Sequence, residues 1–310
     1  METKFHTSAI SLHPSIKNTQ LGSMKTSKIL KTVLSRLEKE TNQALSTGIN
    51  SLDQVIEGWE EGVIIVSARP KMGKTMLCLN FVHHLIHTIN TNEAIVYVTD
   101  TVSKEVLIQR LLAIGTQLPL KQIQTGNLSS TELQQLNDHA FLAKLAQDNL
   151  VILEHNIPSM FDIRTTLLNV RQAGKKPKII FIDATPSAGS ERGNDKNDPL
   201  IMLIQELELL SKELQIPIIC TMPLGRSVEH RESHYPLLSD LNPRLVLHAS
   251  KVLFLIRPEY YEVLTVEHSD IEEAHLIVAK NNGHLDSIKL KLNMYTQKIL
   301  EDKLMYSLIE

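Results

Sequence analysis

Gly73-Lys74-Thr75, reached through Ala68-Arg69-Pro70-Lys71-Met72, sets a permissive backbone position, an ammonium and a hydroxyl side by side. That order suits phosphate. Backbone N–H groups of such a loop and of a following helix N-terminus surround the oxygens, Lys74 reaches the β and γ oxygens of a nucleoside triphosphate, and Thr75 offers its hydroxyl to magnesium. Ala68 stands where such loops usually begin with Gly, a small change. A Gly-Lys-Thr tripeptide alone arises often by chance. Here the apolar Val63-Ile64-Ile65-Val66 leads in and the helix-like Met76–Val82 leads out, which is the context the motif requires.

A carboxylate that fits this loop closes the apolar run Lys178-Ile179-Ile180-Phe181-Ile182-Asp183. An Asp at the end of a buried strand holds a magnesium-bound water, about a hundred residues after the phosphate loop in this chain. Alone it reads equally as a turn residue. With the loop it predicts a nucleotide-binding core, with ATP and Mg2+ as ligands and Thr75 and Asp183 as the metal-site residues. His83 and His87 share a helix face as a metal pair would, but no carboxylate or third ligand is spaced to join them, so a surface or packing role is expected.

The elements that must position these groups follow from apolar periodicity. Strand-like runs at Val63–Ser67, Ala94–Thr99, Leu150–Glu154, Lys178–Asp183, Ile216–Thr221, Lys251–Arg257 and Ala274–Lys280 alternate with helical stretches. The helices are expected at Thr75–His87, Lys104–Gly115, Ser129–Leu145, Met160–Ala173 and Pro199–Leu214. This alternation predicts an α/β fold, a mostly parallel twisted sheet flanked by helices. Ser287–Asn293 and a short run near Lys298 predict a C-terminal β-hairpin, and Gly189–Asp198 a mobile loop. Residues 1–23 are polar and aperiodic and are expected to form a flexible tail. Residues 24–46 hold a linker helix (Lys25–Glu40) with a narrow apolar face of Ile29, Val33, Leu34 and Leu37, and 47–310 form one domain.

Composition sets outer bounds. With 310 residues, 42% of them hydrophobic, the chain can bury a substantial core, and a net charge of −3 provides no global basic field for nucleic acid. Cys78 and Cys220 lie outside metal or redox spacing, as expected of buried thiols in a reducing compartment. The sequence shows no membrane-length apolar run or signal-peptide core, so a cytoplasmic protein is expected.

With the loop and Asp183 placed, residues from about Thr47 to Leu292 resemble the C-terminal motor domain of DnaB-type replicative helicases. The resemblance rests on Thr47–Asp53, Ser67–Thr75, the region of Asp183, Glu213–Ile219, Arg226–Arg231, Leu238–Leu241 and Leu255–Tyr261. The opening and the phosphate loop would also suit RadA-like or KaiC-like ATPases. The blocks Arg226–Arg231 and Arg257–Tyr261 single out DnaB. The resemblance implies a RecA-like P-loop NTPase fold, a homo-oligomeric ring, a hexamer in that family, action on single-stranded DNA, and a linker helix that docks on the neighbouring subunit. The family's primase-contacting N-terminal domain has no counterpart in this sequence.

Departures bear on activity. The family's water-polarising Glu falls on Thr101, and the adjacent Asp100 substitutes only if its strand ends by Thr99, since neighbouring side chains on a strand face opposite ways. The γ-phosphate-sensing Gln is Pro223, which has no side-chain donor. Of the Lys and Arg presented to the neighbour's ATP, Lys280 matches and the Arg is missing. An arginine finger is worth roughly 10³ to 10⁵ in rate. Arg226, Arg231 and Arg244 are the candidate DNA-phosphate contacts. Two expectations follow: a helicase motor with impaired catalysis, or an ATP-binding scaffold or partner subunit of an intact DnaB-type helicase.

Overall fold

A computed structural model describes residues 26, 30, 44–100, 102–155, 159–184, 198–261 and 270–302. The expected tail, the helix at Lys25–Glu40 apart from Thr26 and Leu30, and the Gly189–Asp198 loop apart from Asp198 lie outside these residues. A compact unit begins at Leu45. Its elements in chain order are α1 (Asn50–Ile56), β1 (Gly62–Ala68), α2 (Lys74–Thr88), β2 (Glu93–Thr99), α3 (Lys104–Thr116), α4 (Leu120–Thr125), α5 (Ser130–Asp138), α6 (Ala140–Leu145) and β3 (Leu150–Glu154). Then come α7 (Met160–Gln172), β4 (Lys176–Asp183), α8 (Pro199–Leu214), β5 (Pro217–Pro223), α9 (Pro243–His248), β6 (Lys251–Ile256), β7 (Ile271–Asn281), β8 (Asp286–Asn293) and β9 (Ile299–Glu301).

The described strands form one sheet in the order β3-β2-β4-β5-β1-β6-β7-β8-β9. From β3 to β6 every pairing is parallel, and from β6 to β9 every pairing is antiparallel. The fold is therefore α/β, as the alternation implies. The C-terminal hairpin is present as β8–β9, and β7 extends it into an antiparallel meander.

Strand β1 shows why the central runs are almost wholly apolar. Ile64, Val66 and Ala68 face a core shared with α1, α2, α3 and α6, while Val63 and Ile65 face one shared with α7, α8 and α9. Burial on both faces removes the polar alternation of a one-sided sheet. Helix α8 is anchored to the start of β1: the Gly62 N–H donates to Ser211 Oγ (2.7 Å), and that hydroxyl donates to the Ile216 carbonyl (2.7 Å). Among the described residues, no helix is long and apolar enough to cross a membrane. Cys78 and Cys220 are both free and buried, and burial pushes the Cys220 thiol up to about 12.

One expected element differs. Ser129–Leu145 is two helices, α5 and α6, because His139 takes an extended backbone (φ −72°, ψ 126°) and its ring Nδ1 accepts from the Phe141 N–H at 3.2 Å. That break delivers Phe141 to His83 and His87, with ring centroids 4.9 and 5.5 Å away. The histidine pair is thus packed on an aromatic ring, and no metal-binding cluster of His, Cys, Asp or Glu occurs among the described residues.

Burial, with Lys298 and the other histidines nearby, lowers His83 from the ordinary 6.5 to about 3. A histidine kept neutral by the fold contributes stability that is complete above about 6.5 and is lost as pH falls toward 3. Denaturant unfolding at pH 7.5 and pH 4.5 should therefore show a larger stability loss for the wild type than for His83→Leu. Equal losses would contradict this assignment.

Candidate nucleotide-binding site

The phosphate loop leaves β1 at Ala68, a strand residue, so alanine fits there without backbone strain. Two left-handed residues then shape it, Lys71 (φ 67°) and Gly73 (φ 101°). Gly73 is the N-cap of α2 and accepts from the Leu77 N–H at 2.9 Å. A side chain at Gly73 would find only ordinary contact with Leu292 and Leu255, so its positive φ is what demands glycine. The first turn of α2, with Lys74 and Thr75, carries N–H groups that have no intrahelical acceptor. Met72 is buried and pins the loop, while Pro70 and Lys71 are exposed. Lys74 Nζ donates to the Ala68 carbonyl at 3.1 Å. Burial lowers its pKa, and the charge of Asp183 opposes that shift, so the two residues share one electrostatic environment.

Arginines hold the loop from outside. Arg69 Nη1 donates to the Leu224 carbonyl (2.7 Å), and its Nε and Nη2 donate to Glu229 Oε1 (2.8 and 2.6 Å). Arg257 Nη1 donates to the Lys71 carbonyl at 2.8 Å. Asp183, 3% exposed, ends β4 level with Thr99 of β2. Its Oδ2 accepts from the Tyr97 hydroxyl and its Oδ1 from the Thr221 hydroxyl, both at 2.8 Å. Burial, reinforced by the charge of Asp183, pushes the Tyr97 phenol well up, so it stays a donor.

A loop that ends in a helix N-terminus with a lysine and a hydroxyl, in the electrostatic reach of a carboxylate fixed by two donors, fits a triphosphate with its magnesium. Thr75 would hold the metal directly and Asp183 through water.

Strand β2 ends at Thr99, so the condition for Asp100 is met, and Asp100 is half-buried at the bend that follows. Thr101 lies outside the described residues. Pro223 ends β5 opposite Ala68 and is exposed. Lys280 Nζ donates to the carbonyls of Val246 and Ala249, each at 2.6 Å, where a cation suits the end of α9. Delivery of that ammonium to a neighbouring site requires both bonds to open.

The basic residues divide. Arg226 is exposed in a 3₁₀ turn (Arg226–His230), and Arg244 is half-buried on α9. Arg231 pairs with Asp240 and donates to the Tyr235 carbonyl at 2.9 Å, tying the segment after β5 to the one before α9. Sequence reasoning gave no role to Tyr97, Thr221, Glu229 or Arg257. A tyrosine within Ala94–Thr99 reads as core, and only its lone hydroxyl among apolar neighbours signals otherwise.

The family described as DnaB-like helicase C terminal domain matches residues 44–301. The chain is 27% identical over 288 residues to the replicative DNA helicase DnaB of Helicobacter pylori, covering 80% of this chain and 57% of that protein. It is 28% identical over 251 residues to the replicative DNA helicase DnaC of Bacillus subtilis, covering 79% and 54%. It thus spans little more than half the length of these relatives. Among solved structures, an isolated ATPase domain superposes with a TM-score of 0.73 at 20% identity, covering 91% of this chain and 99% of that one. A DnaB-like replicative helicase, studied with its interactions with primase, superposes with a TM-score of 0.73 at 21% identity, covering 89% and 68%. These superpositions and the sheet order make the fold RecA-like. By the match over residues 44–301, this chain belongs to the DnaB-like helicase C-terminal domain family.

Proposed function

We propose that this chain is a cytoplasmic, Mg-ATP-binding motor-domain protein that works in a homo-oligomeric ring, a hexamer by family analogy, and couples slow hydrolysis to movement on single-stranded DNA and duplex unwinding. The observation that carries the reading is the phosphate loop, with Lys74 bonded to the Ala68 carbonyl and influenced by the charge of a buried, doubly hydrogen-bonded Asp183. The loop N–H groups and Lys74 bind and orient the phosphates. Bound magnesium would neutralise charge developing on them. Asp100, directly after β2, would orient water in place of Thr101. Lys280 would act on a neighbour's nucleotide, and Arg226, Arg231 and Arg244 on DNA phosphates. The linker helix at Lys25–Glu40 would dock on the adjacent subunit, with residues 1–23 as a tail.

A second reading is favoured by the bonds that hold Lys280 to its own chain and by an exposed proline at the sensing position. In it the chain binds nucleotide as a scaffold or partner subunit of an intact DnaB-type helicase. Loss of the arginine finger alone costs roughly 10³ to 10⁵ in rate.

Steady-state ATP hydrolysis with and without single-stranded DNA separates the two readings, with Lys74→Ala subtracting contaminating activity. The motor reading expects slow turnover that DNA accelerates and Lys74→Ala abolishes. Nucleotide binding with no turnover above the Lys74→Ala background supports the partner-subunit reading, and the absence of nucleotide binding contradicts both.

The Asp183 geometry gives a second prediction. Tyr97→Phe deletes one donor to the carboxylate and leaves the ring packing, so the Mg2+ concentration for half-maximal nucleotide binding should rise several-fold. Nucleotide affinity without magnesium should be unchanged, and an unaltered Mg2+ requirement would contradict a role for the phenol.

A further inference from the structure

The block Arg257-Pro258-Glu259-Tyr260-Tyr261 identifies the family, yet nothing in the motor chemistry above uses it. Its first residue is an unusual side chain to bury. Arg257 is 7% exposed, directly after β6, and its Nε is buried without a hydrogen-bond partner. Arginines are almost never buried unless a specific pairing holds them.

The partners of Arg257 are specific. Nη1 donates to the Lys71 carbonyl of the phosphate loop at 2.8 Å, and Nη2 pairs with Glu272 on β7. The guanidinium also lies 5.3 Å from the centroid of the Tyr260 ring. A planar guanidinium satisfies a carbonyl and a carboxylate at once, which a lysine ammonium does with less geometric definition. Glu272 is itself mostly buried, its side chain 13% exposed, so the pair is screened little by solvent.

The carbonyl it holds is the telling one. Lys71 occupies the left-handed region at φ 67°, which residues other than Gly, Asn or Asp seldom adopt. A turn of that kind persists when its surroundings over-determine it. Because the peptide is trans and planar, fixing the direction of the Lys71 carbonyl also fixes the opposed N–H of Met72 and the entry to Gly73.

We infer that Arg257 is a positioning residue for the phosphate loop, a clamp anchored on Glu272 that holds the Lys71 turn in its phosphate-ready shape before nucleotide arrives. This role rests on the nucleotide-binding reading above for its purpose, but the clamp itself is a property of the loop's own hydrogen bonds. Removing the clamp lets the loop sample other shapes, and nucleotide affinity falls by the fraction of molecules no longer competent.

Arg257→Met alone leaves Glu272 buried and unpaired and risks unfolding. The informative variant is therefore Arg257→Met with Glu272→Met, since apolar replacement of a whole buried pair is often neutral for stability. Its melting temperature should stay within a few degrees of wild type. Two readouts follow. Equilibrium binding of a fluorescent ATP analogue with Mg2+ should weaken at least tenfold. In the nucleotide-free proteins, the initial rate of tryptic cleavage at Lys71–Met72, whose scissile carbonyl is the clamped one, should rise at least fivefold in the variant. Unchanged cleavage overturns the clamp whatever the affinity does, and so does unchanged affinity when wild type binds. Faster cleavage together with a wild type that binds no nucleotide leaves the clamp standing and overturns the nucleotide-binding reading.

Discussion

The hydrogen-bonded shape of the loop between Ala68 and Lys74 is the constraint on which the rest depends. A phosphate cradle must turn its N–H groups inward, and that requires left-handed backbone at Lys71 and Gly73. Glycine meets the requirement at position 73 through its own freedom. Lys71 has no such freedom and is held through its carbonyl by Arg257, while Arg69 ties the same loop to Leu224 and Glu229. The half-exposed Arg69–Glu229 pair contributes little to stability, about 0.2–1 kcal/mol by comparison with similar pairs. Its consequence is geometric. It connects the nucleotide loop to the 3₁₀ turn that carries Arg226, beside a β5 whose end residue, Pro223, has no donor of its own.

The parallel sheet supplies the second half of the site. Because β2, β4 and β5 run side by side, Thr99, Asp183 and Thr221 finish near one edge, and Tyr97 reaches Asp183 from the neighbouring strand. Two donors on one buried carboxylate orient it, and each oxygen keeps a lone pair for water. The hydrogen bonds that fix Asp183 come from Tyr97 and Thr221, not from Thr101 or Pro223, where the sequence departs from the family pattern.

Much of this was legible in the sequence because it is local. Apolar runs of strand length marked β1 to β7 and the hairpin β8–β9, and the loop and Asp183 announced themselves by residue order. Short helices escaped: α1 and α4 span seven and six residues, too few for a 3.6-residue period to register. The expected helix at Ser129–Leu145 failed for a side-chain reason, since the His139 ring caps the next helix and breaks the backbone there. The long-range partners were invisible. Nothing in spacing says that Arg257 meets Lys71, that Lys280 meets Val246 and Ala249, or that Arg69 meets Glu229, because these pairs exist only once β1, β5, β6 and β7 have taken their order.

The central claim is that the chain retains a working nucleotide cradle. Isothermal titration calorimetry of the purified protein with a non-hydrolysable ATP analogue, with and without Mg2+, tests it most directly. Saturable binding that magnesium strengthens and that Lys74→Ala removes is the expected result. No heat of binding in either condition, from protein whose melting curve shows it folded, would contradict it.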